Sequence, residues 1–96
     1  MYEVSYSQPA MRYFKKIKDK HLKAAFRVAI GKLSADPYIG EQKTGDLRGM
    51  WGFDVNYATV NYEIAYRIYE ENGRQLVVIL AGTRENFYEE LKRLAK

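Results

Sequence analysis

Asn72-Gly73 stands between two apolar, β-prone runs, VNYEIAYRIY at 60–69 and LVVIL at 76–80. A two-residue hairpin turn that follows the twist of its strands needs φ > 0 at both central residues, and Asn-Gly meets that demand better than almost any other pair. The two runs therefore fold back on each other as an antiparallel hairpin, with strands from about Asn61 to Glu70 and from about Gln75 to Ala81. The second run is continuously apolar, which predicts a central strand covered on both faces. On the first, Tyr62, Ile64, Tyr66 and Ile68 alternate with Asn61, Glu63, Ala65, Arg67 and Tyr69. The Tyr/Ile face is the better core candidate, and the other turns Glu63 and Arg67 to a groove or to solvent.

Other elements fall into place around this hairpin. Thr83 is suited to cap a last helix, Arg84 to Leu94, with Phe87, Leu91 and Leu94 turned to the core. A strand from about Met50 to Val55 precedes the hairpin. Near the start of the chain, Tyr2, Val4 and Tyr6 alternate with polar residues as a short strand. Ser7 can cap a helix that tolerates Pro9 in its first turn and repeats Met11, Phe14 and Ile17. A second helix runs from about Asp19, with a stripe of Leu22, Phe26, Ala29, Ile30 and Leu33. Asp36-Pro37 ends it. The stretch 36–49 is a long irregular connection with three glycines, and loops of that length are often functional. The expected fold is one α+β domain over 1–96: an N-terminal strand, a basic helical hairpin, a three-stranded antiparallel meander and a C-terminal helix.

Charge is distributed unevenly. Residues 1–35 carry eight Lys/Arg against two acids, Glu3 and Asp19, whereas residues 36–96 carry eight against ten. The positive field belongs to the helical hairpin. Such a field suits nucleic acid or an acidic partner, and a solvated helix face gives the same pattern. Lys15, Lys16, Lys23 and Arg27 on the hairpin are candidate RNA contacts, as are Arg48 in the long connection and Arg67 on the strand.

Several chemistries are set aside. The chain has no Cys and one His, His21, so no zinc site or thiol chemistry is expected. No serine sits in a nucleophile-elbow context, and no glycine run forms a phosphate loop. No signal peptide is visible, and no apolar run approaches the roughly 20 residues of a membrane span. Arg, Lys, Tyr and Glu remain. Arg84 and Tyr88 lie i, i+4 at the end of the hairpin. Arg supplies fixed donors for phosphate, Tyr can stack or move a proton, and Glu can serve as a base on a 2′-hydroxyl. Metal-free RNA cleavage needs little more.

With these residues in place, the sequence resembles the RelE/ParE superfamily of bacterial type II toxins. The segments that carry the resemblance are YSQPA, LSADPYIG, DLRGMWGFDV, NYEIAYRI, LVVILAGTRENFY and ELKRLAK, in an order that covers nearly the whole chain. The most telling are L-x-G-x-W at Leu47 to Trp51 and the apolar strand running into Gly82-Thr83-Arg84, with Tyr88 soon after. The resemblance implies a cytoplasmic toxin held inactive by a cognate antitoxin, small and acidic, and working without a cofactor or metal. RelE-like members cut mRNA on the ribosome; ParE-like members poison DNA gyrase.

In the RNA-cleaving branch the Arg after the last strand maps onto Arg84 and the C-terminal aromatic onto Tyr88. Glu41 falls where one subgroup keeps a proposed general base. The chain also departs from the pattern. Glu63 occupies the position of a principal catalytic Arg, and Phe53, Asp54 and Val55 stand where some members keep a basic pair. An anion in place of a cation beside a phosphate reverses a term worth several kcal/mol in a water-poor site. Arg67 lies about 13 Å further along the strand, too far to substitute. The expected catalytic set is Arg84 and Tyr88 with Glu63 or Glu41 as base. The rival readings are a gyrase inhibitor or a family member that acts by binding alone, and a small RNA- or acidic-protein-binding module that works through Lys15, Lys16 and Lys23.

Overall fold

The hairpin turn forms as its two residues require, with Asn72 at φ 57° and Gly73 at φ 101°. It joins β4 (Val60–Tyr69) to β5 (Gln75–Thr83), paired antiparallel from Tyr62↔Thr83 to Tyr69↔Gln75. The computed structural model describes residues 1–94; Ala95 and Lys96, which end the ELKRLAK segment, lie outside the described residues. Ahead of the hairpin, β3 (Trp51–Tyr57) pairs with β4 along its whole length. The three-stranded meander is therefore present, with β3 starting one residue later and ending two residues later than its apolar pattern indicates.

Two further strands widen the sheet to five, in the order β1-β5-β4-β3-β2. β1 (Glu3–Tyr6) joins β5 in parallel, and β2 (Glu41–Gln42) pairs with β3. β2 lies within what the sequence presents as irregular connection, because two residues carry no period.

The β3–β4 connection is tighter than expected. Tyr57 pairs directly with Val60, so Ala58 and Thr59 alone make the turn, at φ 52° and 64°. A β-branched residue is poorly suited to that region. Replacing Ala58-Thr59 by Asn-Gly is therefore expected to stabilise the fold by about 1 kcal/mol, since relief of strain exceeds the added flexibility of glycine in the unfolded chain. An unchanged or lower urea midpoint at constant m would contradict this.

α1 (Gln8–Lys16) and α2 (Lys20–Ala35) cover one face of the sheet. Ser7 caps α1 by accepting from Ala10 N at 3.1 Å, and Asp19 caps α2 by accepting from His21 N and Leu22 N. Ala10, Ile17, Leu22, Phe26, Ala29 and Leu33 pack here on Val55, Ile64, Tyr66, Leu76, Val78 and Ala81. The Tyr/Ile face of β4 is thus the main core face. Met11, expected in this seam, is 41% exposed at its margin.

A second core lies on the opposite face, where Leu47, Met50, Ala65 and Leu80 meet Phe87 and Leu91 of α3 (Phe87–Leu94). Leu94, expected to join it, is exposed. One extra residue in β5, Ile79, faces the step between Ala65 and Tyr66. This bulge interrupts the alternation of β5, so that Ile79 and Leu80 both pack in the second core.

Between the two layers the long connection is pinned by aromatic contacts. Tyr66, fully buried, donates to the Pro37 carbonyl at 2.6 Å, and burial pushes its hydroxyl pKa up to about 12. Trp51 of the L-x-G-x-W element stacks on Tyr66 and meets Tyr38 edge-on at 5.4 Å. The connection is thereby held against the β3 edge, and with it Glu41 and Lys43. Among the described residues no helix is long and apolar enough to cross a membrane.

Candidate functional site

Thr83 does not cap the last helix. It remains in β5, paired with Tyr62, and the chain then bends through Arg84 to Asn86, where Asn86 takes φ 60°. The helix begins at Phe87, three residues later than its pattern indicates. Arg84 and Tyr88 are accordingly not neighbours on one helix. The bend brings them together: Arg84 N donates to Asn61 O at 3.2 Å, Phe87 N donates back to Arg84 O at 3.3 Å, and Arg84 Nη2 reaches the Tyr88 hydroxyl at 3.1 Å.

Glu63 lies beneath this pair. It is 1% exposed, the only buried charged residue among those described. Its β4 face is the groove-facing one, as alternation predicts, and the groove is closed over it. Tyr88 OH donates to Glu63 Oε1 at 3.2 Å, and Arg84 Nε stands 3.7 Å from the same oxygen. The main counter-ion is Lys43, whose ammonium sits 2.7 Å from Oε2. That contact is an ion pair without hydrogen-bond alignment, so the hydrogen-bonding capacity of Oε2 is unfilled. Lys43 Nζ also donates to Tyr88 OH at 2.9 Å and lies 4.4 Å from the centre of its ring.

Lys43 was not among the sequence candidates. It directly follows β2, anchored by its N–H to Met50 O at 2.9 Å. Its side chain crosses β3 at Gly52, where no side chain blocks the way. A Cβ there would lie 2.9 Å from Lys43 Cε and inside contact distance of Glu63 Oε2. The signal was present in Glu63 itself. A glutamate in the middle of an apolar strand needs a cation, and Lys43 is the lysine of the adjacent connection.

Electrostatics follow from this packing. Burial opposes the charge on Lys43, but Glu63 and Tyr88 together outweigh it and hold the ammonium pKa above the ordinary lysine value. Arg84 is likewise raised, by Tyr88 first and then by Asp54 and Glu63. Both cations stay charged at any physiological pH. Arg84 also makes a long 3.4 Å contact with Asp54, an exposed pair of little energetic weight.

These groups line one open cavity of about 370 Å³ together with Ile39, Gly40, Glu41, Gly52 and Phe53. All four catalytic candidates, Arg84, Tyr88, Glu63 and Glu41, border it. The RNA-binding candidates do not. Arg67 turns to the Gly49 loop, with Nη1 2.9 Å from where a Gly49 Cβ would stand, and Arg48 is exposed beyond it. Lys15, Lys23 and Arg27 rim a separate groove of about 360 Å³ floored by Met11, Phe14, Phe26 and Ile30, with Lys16 exposed on the same helix. This groove and the cavity lie on opposite faces of the sheet, so the basic hairpin and Arg84 cannot grip the same phosphates.

Chemically, the cavity offers two fixed cations, a phenol between them, a sealed carboxylate below and two open carboxylates, Glu41 and Asp54, at the rim. It can orient an oxyanion and move a proton.

Comparisons with known proteins agree with this architecture. A family model of ParE-like toxins of type II bacterial toxin–antitoxin systems matches residues 4–92. Among solved structures, a chain of the toxin–antitoxin complex RelBE2 from Mycobacterium tuberculosis is 26% identical, with a TM-score of 0.67, covering 86% of this chain and 98% of that one. A free-state double mutant of the Escherichia coli toxin RelE shares the fold at 17% identity, with a TM-score of 0.71 and 96% coverage of both chains. No curated protein matches the chain. With the match spanning nearly its full length, the chain belongs to the ParE-like toxins of type II bacterial toxin–antitoxin systems.

Proposed function

We propose that this toxin is a RelE-like, ribosome-dependent mRNA endonuclease that needs no metal, acts in the cytoplasm and is silenced by a cognate antitoxin. The convergence of Arg84, Tyr88 and a second cation in one open cavity supports this reading. Arg84, with its side chain 44% exposed, offers donors to the non-bridging phosphate oxygens as charge builds on them. Glu41 is the better placed base, because it is exposed at the rim while Glu63 is sealed. In this scheme Glu41 takes the 2′-hydroxyl proton and the 2′-oxygen attacks phosphorus. The bond to the 5′-oxygen then breaks, and Tyr88 supplies the proton that the leaving oxygen takes. The antitoxin partner is supported by the RelBE2 neighbour, which is a toxin–antitoxin complex.

Arg84→Ala and Tyr88→Ala are each expected to slow translation-dependent mRNA cleavage by about a hundredfold. Primer extension on a reporter transcript in a reconstituted translation system measures this. Cleavage unchanged in both variants would sink the assignment.

One observation favours a second reading, a toxin that acts by binding alone, on DNA gyrase or another target. Three carboxylates, Glu41, Asp54 and Glu63, border the cavity against two cations, so an incoming phosphate meets opposing charge. Expression in a bacterium separates the two. Translation arrest with cut transcripts belongs to the nuclease; filamentation and a DNA-damage response without mRNA loss belong to the gyrase inhibitor.

A further inference from the structure

We infer that Lys43 and Arg84 form a two-cation seat for one phosphate of single-stranded RNA, with Glu63 the positioning residue that holds Lys43 in it. This deepens the nuclease reading of the same cavity and takes its substrate class from it. Lys43 Nζ reaches the Tyr88 hydroxyl at 2.9 Å and Arg84 Nη2 reaches it at 3.1 Å, so two like charges converge on one neutral oxygen. Such convergence is costly unless an anion lies between the charges. Glu63 supplies that anion from the sealed side only, and its Oε2 is left without an aligned hydrogen bond. The opposite side of both cations is the open cavity. Lys43 makes one aligned hydrogen bond, to Tyr88, beside its ion pair with Glu63, so its ammonium keeps donor capacity for a ligand. Arg84 retains unused donors of its five. An oxyanion seated there completes what Glu63 does from below. The rim carboxylates Glu41 and Asp54 oppose it, which favours a single phosphate presented by an extended strand over a densely charged duplex.

The test is titration of the intact toxin with a 2′-O-methyl RNA trinucleotide, which cannot be cleaved, followed by NMR at low salt. Lys43→Gln and Arg84→Gln are each expected to weaken binding about tenfold, as loss of a charge-assisted hydrogen bond implies. Lys43→Arg should stay close to wild type. Glu63→Gln should weaken the trinucleotide several-fold because Lys43 is no longer held in the seat, and that loss should vanish in the Lys43→Gln background. A merely structural Glu63 would weaken binding as much in the Lys43→Gln background as in the wild type. Where Lys43→Gln does not fold, Lys43→Gln/Glu63→Gln removes both charges together and should show the same loss of binding. Wild-type affinity in Lys43→Gln, no binding by the wild type, or unchanged or tighter binding in Glu63→Gln would each overturn the proposal. A wild-type toxin that binds the trinucleotide through Lys43 but never cuts mRNA keeps the seat and removes the nuclease reading.

Discussion

Lys43→Met is expected to cost about 3 kcal/mol of folding stability, although lysines in such connections are commonly dispensable. Glu63 is 1% exposed, and after the substitution it keeps only the Tyr88 hydroxyl at 3.2 Å and Arg84 Nε at 3.7 Å. A buried carboxylate without its close cation pays most of its desolvation cost uncompensated. The companion Lys43→Met/Glu63→Leu, which removes both charges, should recover most of the loss. Two charges taken out together leave no buried charge unpaired, and the new apolar side chains can pack on Ala65 and Met50. Urea denaturation of both single variants and the double variant gives the coupling energy directly. A single variant within about 0.5 kcal/mol of wild type would mean that the pair is open to water. The sign of the pH dependence is fixed by the raised lysine. Its pKa is higher in the folded state, so the lysine's contribution is fully present below the ordinary lysine value. It persists through neutral pH and is lost only as pH climbs past the raised value.

The same pair marks the boundary of what the sequence made legible. The β4–β5 hairpin was readable because Asn72-Gly73 states its own dihedral angles, and the two helices because their apolar stripes repeat over several turns. Their caps, Ser7 and Asp19, were readable for the same local reason. Thr83 shows where local reading stops. As a residue type it suits an N-cap, but its pairing with Tyr62 keeps it in the strand, and non-local pairing outweighs a cap worth about 1 kcal/mol. The turn at Ala58-Thr59 was hidden because neither residue announces a positive φ.

The candidate site divides along the same line. Arg84 and Tyr88 were visible, through the resemblance and through their place after the last strand. Lys43 was not, because it reaches Glu63 across an intervening strand, through a gap that exists only because Gly52 lacks a side chain. Glu63 appeared in the sequence as a lost cation. In the fold it is the anchor of another cation, delivered from a different element. The basic hairpin was read correctly as a charged surface, but no one-dimensional pattern could reveal that the sheet separates it from Arg84.

That separation makes the second large effect informative. Phe26→Ala is expected to cost about 3–5 kcal/mol, a large share of the roughly 5–15 kcal/mol that holds a domain of this size together. Phe26 is 2% exposed, and its ring meets Tyr13, Phe14 and Tyr62 edge-to-face, with centroids 6.1, 5.3 and 5.6 Å away. It joins α1, α2 and β4 at one point, so its removal loosens both helices from the sheet at once. Phe26→Leu keeps most of the volume and should cost less than half as much, because the remaining loss is ring geometry. The contrast between the two variants separates cavity formation from loss of aromatic contacts. β4 also carries Glu63 on its other face, so a helical layer that detaches should release the site as well. Fluorescence of Trp51, which stacks on Tyr66 and directly precedes Gly52 of the cavity lining, should therefore report the same urea midpoint as the helical circular dichroism signal. Two separated midpoints would show that the helical layer melts alone, and that the cavity is held by β2, β3 and α3 without it.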